Sequence, residues 1–166
     1  SRFPQPRQFA ETVLLVGPQS DLETAPIFGT DGSGGKHSSD PMLRAVGAGV
    51  SSVRLVLGDV EVLAGLSATV AGQQTVPRAE LTAACLAIAI SRSPLITIIT
   101  DADYIIRGVA RGVRKAALFA NHDLWTRFWE LIARRGGIKT VRFIKVKSHL
   151  TQAEILCGMA TIEQVA

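Results

Sequence analysis

Residues 95–104 read LITIITDADY, an unbroken apolar run that is rich in β-branched side chains and ends at an aspartate. Such a run is typical of a strand covered on both faces. Asp101 then stands at the carboxyl end of that strand, where ligands gather in open α/β sheets. The segment therefore predicts a central strand with a candidate functional carboxylate at its end.

Upstream, the sequence predicts three consecutive strands. Pro26 to Thr30 is a short apolar strand that runs into Asp31, and a glycine-rich loop follows it. Residues 45–57 and 59–70 are rich in Val, Leu and Gly and are joined at Gly58, which indicates a β-hairpin.

Helices are predicted on both sides of the central strand. Pro77 suits a first helical turn, and apolar residues then recur with helical spacing from Leu81 to Ile88, with Glu80 at the edge of that stripe. Downstream we expect a short helix over about 102–110, a basic loop, a helix capped by Asn121, and a last strand over 140–146. This order of elements predicts an α/β fold.

Composition and charge indicate a single globular domain with a polyanionic partner. The 166 residues suit one domain, which we place at 25–166 after an N-terminal extension or linker at 1–24. Formal net charge is +4, and residues 102–149 carry eleven Lys or Arg against three acids, which favours a polyanionic partner. Neither a membrane span nor a signal peptide is visible, and two widely separated cysteines in apolar surroundings favour a reducing, intracellular location.

Three acidic residues stand in apolar contexts: Asp31, Glu80 and Asp101. Carboxylates in such positions are costly unless a cation pairs with them, and three together would repel one another and raise at least one pKa. Hard cations such as Mg²⁺ prefer carboxylate oxygens. We therefore expect the three residues to share one metal site.

Five short motifs stand in order along about residues 26–150. They are Thr-Asp-Gly-Ser at 30–33, Arg-Ala-Glu-Leu at 78–81, Thr-Asp-Ala-Asp-Tyr at 100–104, Asn-His-Asp-Leu-Trp at 121–125 and Val-Lys-Ser-His at 146–149. In this order and spacing the motifs resemble the ribonuclease H family. The resemblance implies an α/β fold with a mixed five-stranded sheet, three antiparallel strands followed by parallel ones, flanked by helices.

The resemblance also implies an activity: metal-dependent cleavage of the RNA strand of an RNA–DNA hybrid, leaving 5′-phosphate and 3′-hydroxyl ends. The family uses four carboxylates and two Mg²⁺ ions, with Mn²⁺ as an alternative. Carried over by motif, Asp31 bridges the ions and Glu80 and Asp101 complete one side of the site. His149 assists proton transfer or product release.

Hybrid binding is assigned to two groups of residues. Backbone amides beside the metal site are expected to contact the RNA strand, whose 2′-hydroxyls are exposed in the wide minor groove. Basic side chains after the second aspartate motif are expected to hold phosphates by charge. The amides belong to Gly32, Ser33 and Gly34, and the basic side chains are Arg107, Arg111, Arg114 and Lys115.

The chain departs from the family at the fourth carboxylate. Residues 151–166 contain no Asp, and neither Glu154 nor Glu163 matches the family's motif. We expect the chain to stop short of that residue, before the last helix is complete, which predicts a weakened second metal site and little or no activity. The alternatives are a non-catalytic nucleic-acid-binding or scaffold domain and a DNA nuclease on the same fold. The linker-like start favours a domain of a larger polyprotein that also carries a reverse transcriptase, as in a retrotransposon.

Overall fold

The computed structural model describes residues 10–33, 47–57 and 59–147, and this part of the chain folds around one mixed β-sheet. The strands are β1 (Ala10–Val16), β2 (Ile27–Ser33), β3 (Gly47–Val56), β4 (Asp59–Val70), β5 (Ile96–Thr100) and β6 (Val141–Lys145). The α-helices are α1 (Gln19–Glu23), α2 (Val76–Ile90), α3 (Asp103–Arg111) and α4 (His122–Arg134), with 3₁₀ segments at Val113–Leu118 and Ile138–Thr140.

The order of strands across the sheet is β1-β4-β3-β2-β5-β6. Strands β1 to β4 pair antiparallel, whereas β5 pairs parallel to both β2 and β6. The predicted α/β class and the change from antiparallel to parallel pairing are confirmed. The described sheet has six strands where five were expected, and the additional strand is β1.

Strand β1 and helix α1 both lie in the segment that was expected to be an extension or linker. Residues 10–16 pair with β4, Val13 packs against the main core, and Leu22 of α1 is fully buried. Residues 10–24 therefore contain a strand and a helix that the sequence did not predict, because pairing with β4 organises a segment whose local sequence carries little periodicity. The proposed division at residue 24 itself stays a prediction.

Helix α2 packs between the sheet and α4, which explains why it is buried on nearly all sides. Its N-terminus is capped by Thr75, whose hydroxyl accepts a hydrogen bond from the Arg78 backbone N–H at 3.4 Å, and Pro77 lies in the first turn as predicted. Phe28 of β2 and Phe128 of α4 fill the core on either side of it. The helix is thereby held firmly against the middle of the sheet.

Asn121 occupies the predicted N-cap position of α4 but does not cap it through its side chain. Its backbone is left-handed, with φ of 63°, a conformation that asparagine tolerates better than most residues. Its carboxamide instead accepts a hydrogen bond from Arg78 and donates one to the Tyr104 hydroxyl, each at 3.2 Å. The residue therefore ties α2, α3 and α4 together.

Two further predictions concern the membrane and the cysteines. In the ranges that the structure describes, no helix has the length and apolar character that crossing a membrane requires. Cys85 is a buried free thiol, as expected, while Cys157 lies outside the described residues.

Candidate active site

Asp31 and Asp101 lie at the same end of neighbouring strands. The parallel pairing of β2 with β5 ends at Gly29 opposite Ile99. Each aspartate stands two residues beyond the last position at which these two strands pair with each other. The sequence placed Asp31 just after its strand, which is wrong, because β2 continues to Ser33 by pairing with β3. At Asp31, β2 no longer pairs with β5, and among the described strands it pairs with β3 alone.

Glu80 is brought to this place by close contact between α2 and β2. A Cβ atom on Gly32 would lie 2.5 Å from the Glu80 backbone nitrogen and 2.8 Å from its Cγ. Any side chain at position 32 would thus push the helix away. Gly32 was predicted to contact nucleic acid, and the structure shows it as the point where Glu80 is seated beside Asp31.

The electrostatics of Glu80 show that the carboxylates are close enough to interact. The pKa of Glu80 is raised from 4.5 to about 7, first by burial and then by the negative charges of Asp101, Asp31 and Asp103, in that order. Asp31 is exposed and Asp101 is partly buried. The three predicted residues, from β2, α2 and the end of β5, therefore form one region of negative potential, as the sequence suggested.

The chemistry of this donor set fits Mg²⁺, since every candidate ligand is a carboxylate. The carboxylates do not surround a single point, however. Across residues 10–33, 47–57 and 59–147, no three His, Cys, Asp or Glu side chains lie close enough to hold one ion. Binding of an ion by these three carboxylates therefore stays a prediction.

Asp103 and Lys145 add a pair of charges that the sequence did not single out. The Lys145 ammonium lies 3.4 Å from the Asp103 carboxylate, which links the end of β6 to the start of α3. Beyond Lys145, the Val146 backbone N–H donates to the Thr100 carbonyl at 2.9 Å. The chain that leads to His149 is therefore fixed beside Asp101 as far as residue 147. His149 itself, like Gly34, Glu154 and Glu163, lies outside the described residues.

The four predicted basic side chains are all exposed, two on α3 and two in the 3₁₀ segment after it. Arg107 and Arg111 are one helical turn apart, and the Arg111 guanidinium lies over the Phe119 ring, 4.7 Å from its centroid. These two arginines line an open cavity of about 330 Å³ with Tyr104 and Phe119. Arg114 and Lys115 follow in the 3₁₀ segment and are also exposed.

Arg78 is a structural residue of the site that sequence reasoning missed. It is nearly buried, and its guanidinium donates to both carboxylate oxygens of Asp123, at 3.0 and 2.8 Å, and to the Ala71 carbonyl at 2.7 Å. The pairing lowers the pKa of Asp123 to about 2. Arg78 therefore locks the first turn of α2, which carries Glu80, to the start of α4. Partners 45 positions apart leave no local signal in the sequence.

Comparison with known families and structures agrees with this geometry. A family model described as RNase H matches residues 24–157, most of the chain. No curated protein matches the chain.

Solved structures of foamy virus proteins share the fold. The solution structure of the PFV RNase H domain superposes with a TM-score of 0.60 at 19% identity, covering 87% of this chain and 93% of that domain. The crystal structure of prototype foamy virus protease-reverse transcriptase gives 0.60 at 23% identity, covering 84% of this chain and 20% of that one. The foamy viral protease-reverse transcriptase in complex with RNA/DNA hybrid gives 0.57 at 19% identity, with 84% and 20% covered. The chain thus spans about a fifth of the length of those two proteins.

Proposed function

The chain belongs to the ribonuclease H family, and we propose that it is a metal-dependent endonuclease that hydrolyses the RNA strand of RNA–DNA hybrids. The observation that carries the proposal is the convergence of Asp31, Glu80 and Asp101 from three elements far apart in the sequence, registered by the raised pKa of Glu80. Such mutual repulsion destabilises a fold, and it is the arrangement expected where a cation is to be held.

In this proposal Asp31, Glu80 and Asp101 would hold divalent ions, Mg²⁺ or Mn²⁺. The ions would supply a nucleophilic water at neutral pH and positive charge for the leaving oxygen. The expected 5′-phosphate and 3′-hydroxyl ends follow from the resemblance to the family. Seating Glu80 against Gly32 fixes one carboxylate on a rigid helix, and the end of β5 fixes another. His149 assists proton transfer or product release.

Hybrid binding is proposed for the surface that surrounds the carboxylates. Past Gly29, β5 no longer pairs with β2, so the amides of Gly32 and Ser33 lie on a stretch that only β3 pairs among the described strands. These amides, with that of Gly34, would contact the RNA strand. The phosphates would lie on the basic surface formed by α3 and the 3₁₀ segment: Arg107, Arg111, Arg114 and Lys115.

The setting of the domain is also a proposal. The foamy virus neighbours are parts of protease-reverse transcriptase chains, and one of those proteins was solved with an RNA/DNA hybrid. They support a role for this chain as the nuclease domain of a larger polyprotein with a reverse transcriptase. Such a protein would act inside the cell.

Cleavage of an RNA–DNA hybrid tests the proposal. The RNA is labelled at one end, the DNA at the other, and the protein is compared with its Asp31→Asn variant in Mg²⁺ and in Mn²⁺. We expect weak cutting of RNA alone, because residues 151–166 contain no Asp that could serve as the fourth carboxylate, and we expect Asp31→Asn to reduce that cutting to background. Glu61→Gln is the matched control, because it removes one carboxylate from an exposed pair with Arg54.

Three other outcomes have distinct meanings. Cutting of the DNA strand would favour a DNA nuclease on the same fold. Hybrid binding without cutting by any variant would leave a non-catalytic binding domain. Cutting that survives Asp31→Asn would show that the assigned carboxylates are not the site.

A further inference from the structure

Strand β6 forms one edge of the described sheet and carries a run of positive charge. It pairs with β5 on one side and with no described strand on the other. Residues 134–147, which contain the strand, include six Lys or Arg and no acidic residue. Four exposed cations lie on β6 or within two residues of it, and we call them the basic edge: Lys139, Arg142, Lys145 and Lys147.

Most of the basic edge has no carboxylate to neutralise it. Every described arginine that precedes α3 forms an ion pair with an acidic side chain. On the basic edge, Lys145 has such a partner in Asp103, at 3.4 Å. Lys139, Arg142 and Lys147 form no ion pair with any residue that the structure describes. Exposed cations that accumulate without neighbouring carboxylates favour contact with a polyanion.

The basic edge begins beside the carboxylates and leads away from them. Lys145 is paired in register with Thr100, the residue before Asp101. Its ion pair with Asp103 joins β6 to α3, whose own arginines are proposed to hold phosphates. The five residues of β6 span about 13 Å at a rise of roughly 3.3 Å per residue, and Lys139 precedes them. Positive charge therefore continues from the site along the edge of the sheet.

The basic edge offers charge but no aromatic surface for stacking. Phe143 is the aromatic residue of β6, and it is half-buried against Phe128 of α4, with ring centroids 6.1 Å apart. Bases therefore have no ring on this strand to stack against. Lysine and arginine side chains in such a row contact phosphates, and phosphate contacts hold a nucleic acid without reading its sequence.

We propose that the basic edge binds the phosphate backbone of the nucleic acid that continues beyond the cleavage site. The choice of polyanion rests on the proposed function. A duplex arm and a single-stranded arm present the same phosphodiester charges, so both are sources of this ligand. Lysine on an edge strand also prevents pairing between the edges of two chains. That role alone predicts no effect on the binding of nucleic acid.

Fluorescence anisotropy on the full chain tests the proposal, with EDTA present to prevent cleavage. The ligands are a short RNA–DNA hybrid, the same hybrid with a duplex arm, and the same hybrid with a single-stranded arm, each arm placed at either end in turn. Arms should strengthen binding to the wild type, and the arm that does so identifies the source of the phosphates.

Two single variants measure the contribution of the basic edge. Lys139→Gln and Arg142→Gln remove exposed charges that have no described ion pair, so the changes leave the packing intact. Each should weaken binding of the armed hybrid about five- to eightfold at about 0.1 M salt and lower the salt slope by about one, with binding of the short hybrid nearly unchanged. Arg54→Gln is the matched control, because it removes an exposed arginine from β3, three strands away, and should affect neither ligand.

Three results would overturn the proposal. Equal affinity of the variants and the wild type for every armed hybrid would leave the basic edge as a guard against edge pairing. Equal weakening for the short and the armed hybrids would place the contact within the hybrid itself. Binding of poly-L-glutamate as tight as that of an arm, and equally dependent on Arg142, would indicate an acidic protein partner.

Failure of this proposal is distinguishable from failure of the nuclease, because binding is measured without cleavage. If arms are bound through the basic edge by a protein that does not cut hybrids, the nuclease alone is overturned. If hybrids are cut and the variants bind arms normally, only the basic edge is overturned.

Discussion

Replacing Glu80 with glutamine should stabilise the metal-free protein at alkaline pH. In the folded state the pKa of Glu80 is raised from 4.5 to about 7, by burial and by the charges of Asp101, Asp31 and Asp103. Between these values the folded protein holds a proton that the unfolded chain has released, so stability falls as pH rises. Below about pH 4.5 both states are protonated, and above pH 7 the full cost is present. The variant carries no such cost.

The size of the effect follows from the two pKa values. Each pKa unit corresponds to about 1.4 kcal/mol, so full coupling would cost the folded state about 3 kcal/mol above pH 7. Glu80 is only half-buried, and solvent screening reduces this to about 1–2 kcal/mol. For a chain of 166 residues that corresponds to a Tm about 3–6 °C higher for Glu80→Gln at pH 8 and to no difference at pH 4.

Thermal and urea unfolding in EDTA across that pH range would measure the difference. Glu61→Gln is the control, since its exposed pair with Arg54 is expected to contribute less than about 1 kcal/mol. The free energy of unfolding of the wild type should fall as Glu80 loses its proton. In an Asp101→Asn variant this fall should occur at lower pH, because Asp101 is the strongest charge acting on Glu80. Millimolar Mg²⁺ should stabilise the wild type more than Glu80→Gln.

A variant that is less stable than the wild type at pH 8, or whose advantage is the same at pH 4 and pH 8, would refute the reasoning. Either result would mean that burial and the neighbouring carboxylates together do not raise the pKa of Glu80 in the folded protein. The metal site inferred from their proximity would then lose its physical basis.

Three further predictions concern the scaffold of the site. Gly32→Ala should cost about 1–3 kcal/mol in urea unfolding and reduce hybrid cleavage, because the added Cβ would lie 2.5 Å from the Glu80 backbone nitrogen. Tyr104→Phe should cost about 1–3 kcal/mol, because the buried Trp125 Nε1 loses its acceptor at 2.9 Å, and near-UV circular dichroism should report the change. Asp123→Asn should cost up to about 1 kcal/mol at pH 7, since this carboxylate is largely exposed. That difference should vanish as pH falls from about 4 to 2, because pairing lowers the pKa of Asp123 to about 2.

The fold was predictable where local pattern and long-range pairing agree. The run at 95–100 became β5, the two segments joined at Gly58 became the β3–β4 hairpin, and the stripe at 81–88 became α2. Strand β1 escaped prediction because its residues are defined by pairing with β4, 49 to 60 positions downstream. Leu14 and Val16 of β1 are exposed, so the strand lacks the alternation that would have revealed it.

The sequence predicted which three carboxylates lie near one another, but it did not predict the contacts that position them. The three acidic residues could be chosen from their apolar contexts, since such positions rarely hold charge without a reason. The contacts that position them could not be predicted. Gly32 lies against α2 and Arg78 pairs with Asp123 of α4, and both contacts depend on how the helices pack on the sheet. Asp103 was not singled out from the sequence, yet its charge acts on Glu80 and its pair with Lys145 joins the start of α3 to the end of β6.

The position of the carboxylates follows from the topology of the sheet. Strand β2 is where antiparallel and parallel pairing meet, and β5 stops pairing with it at Gly29 while β3 continues to Ser33. This leaves room at the end of β5 for Asp101 and for α2 to lie directly on Gly32. Because β5 stops pairing with β2 there, the carboxylates gather at a place where no described strand lies between them and solvent. A fold that gathers charge at such a point loses stability there, so removing that charge should stabilise the protein and weaken its metal binding together.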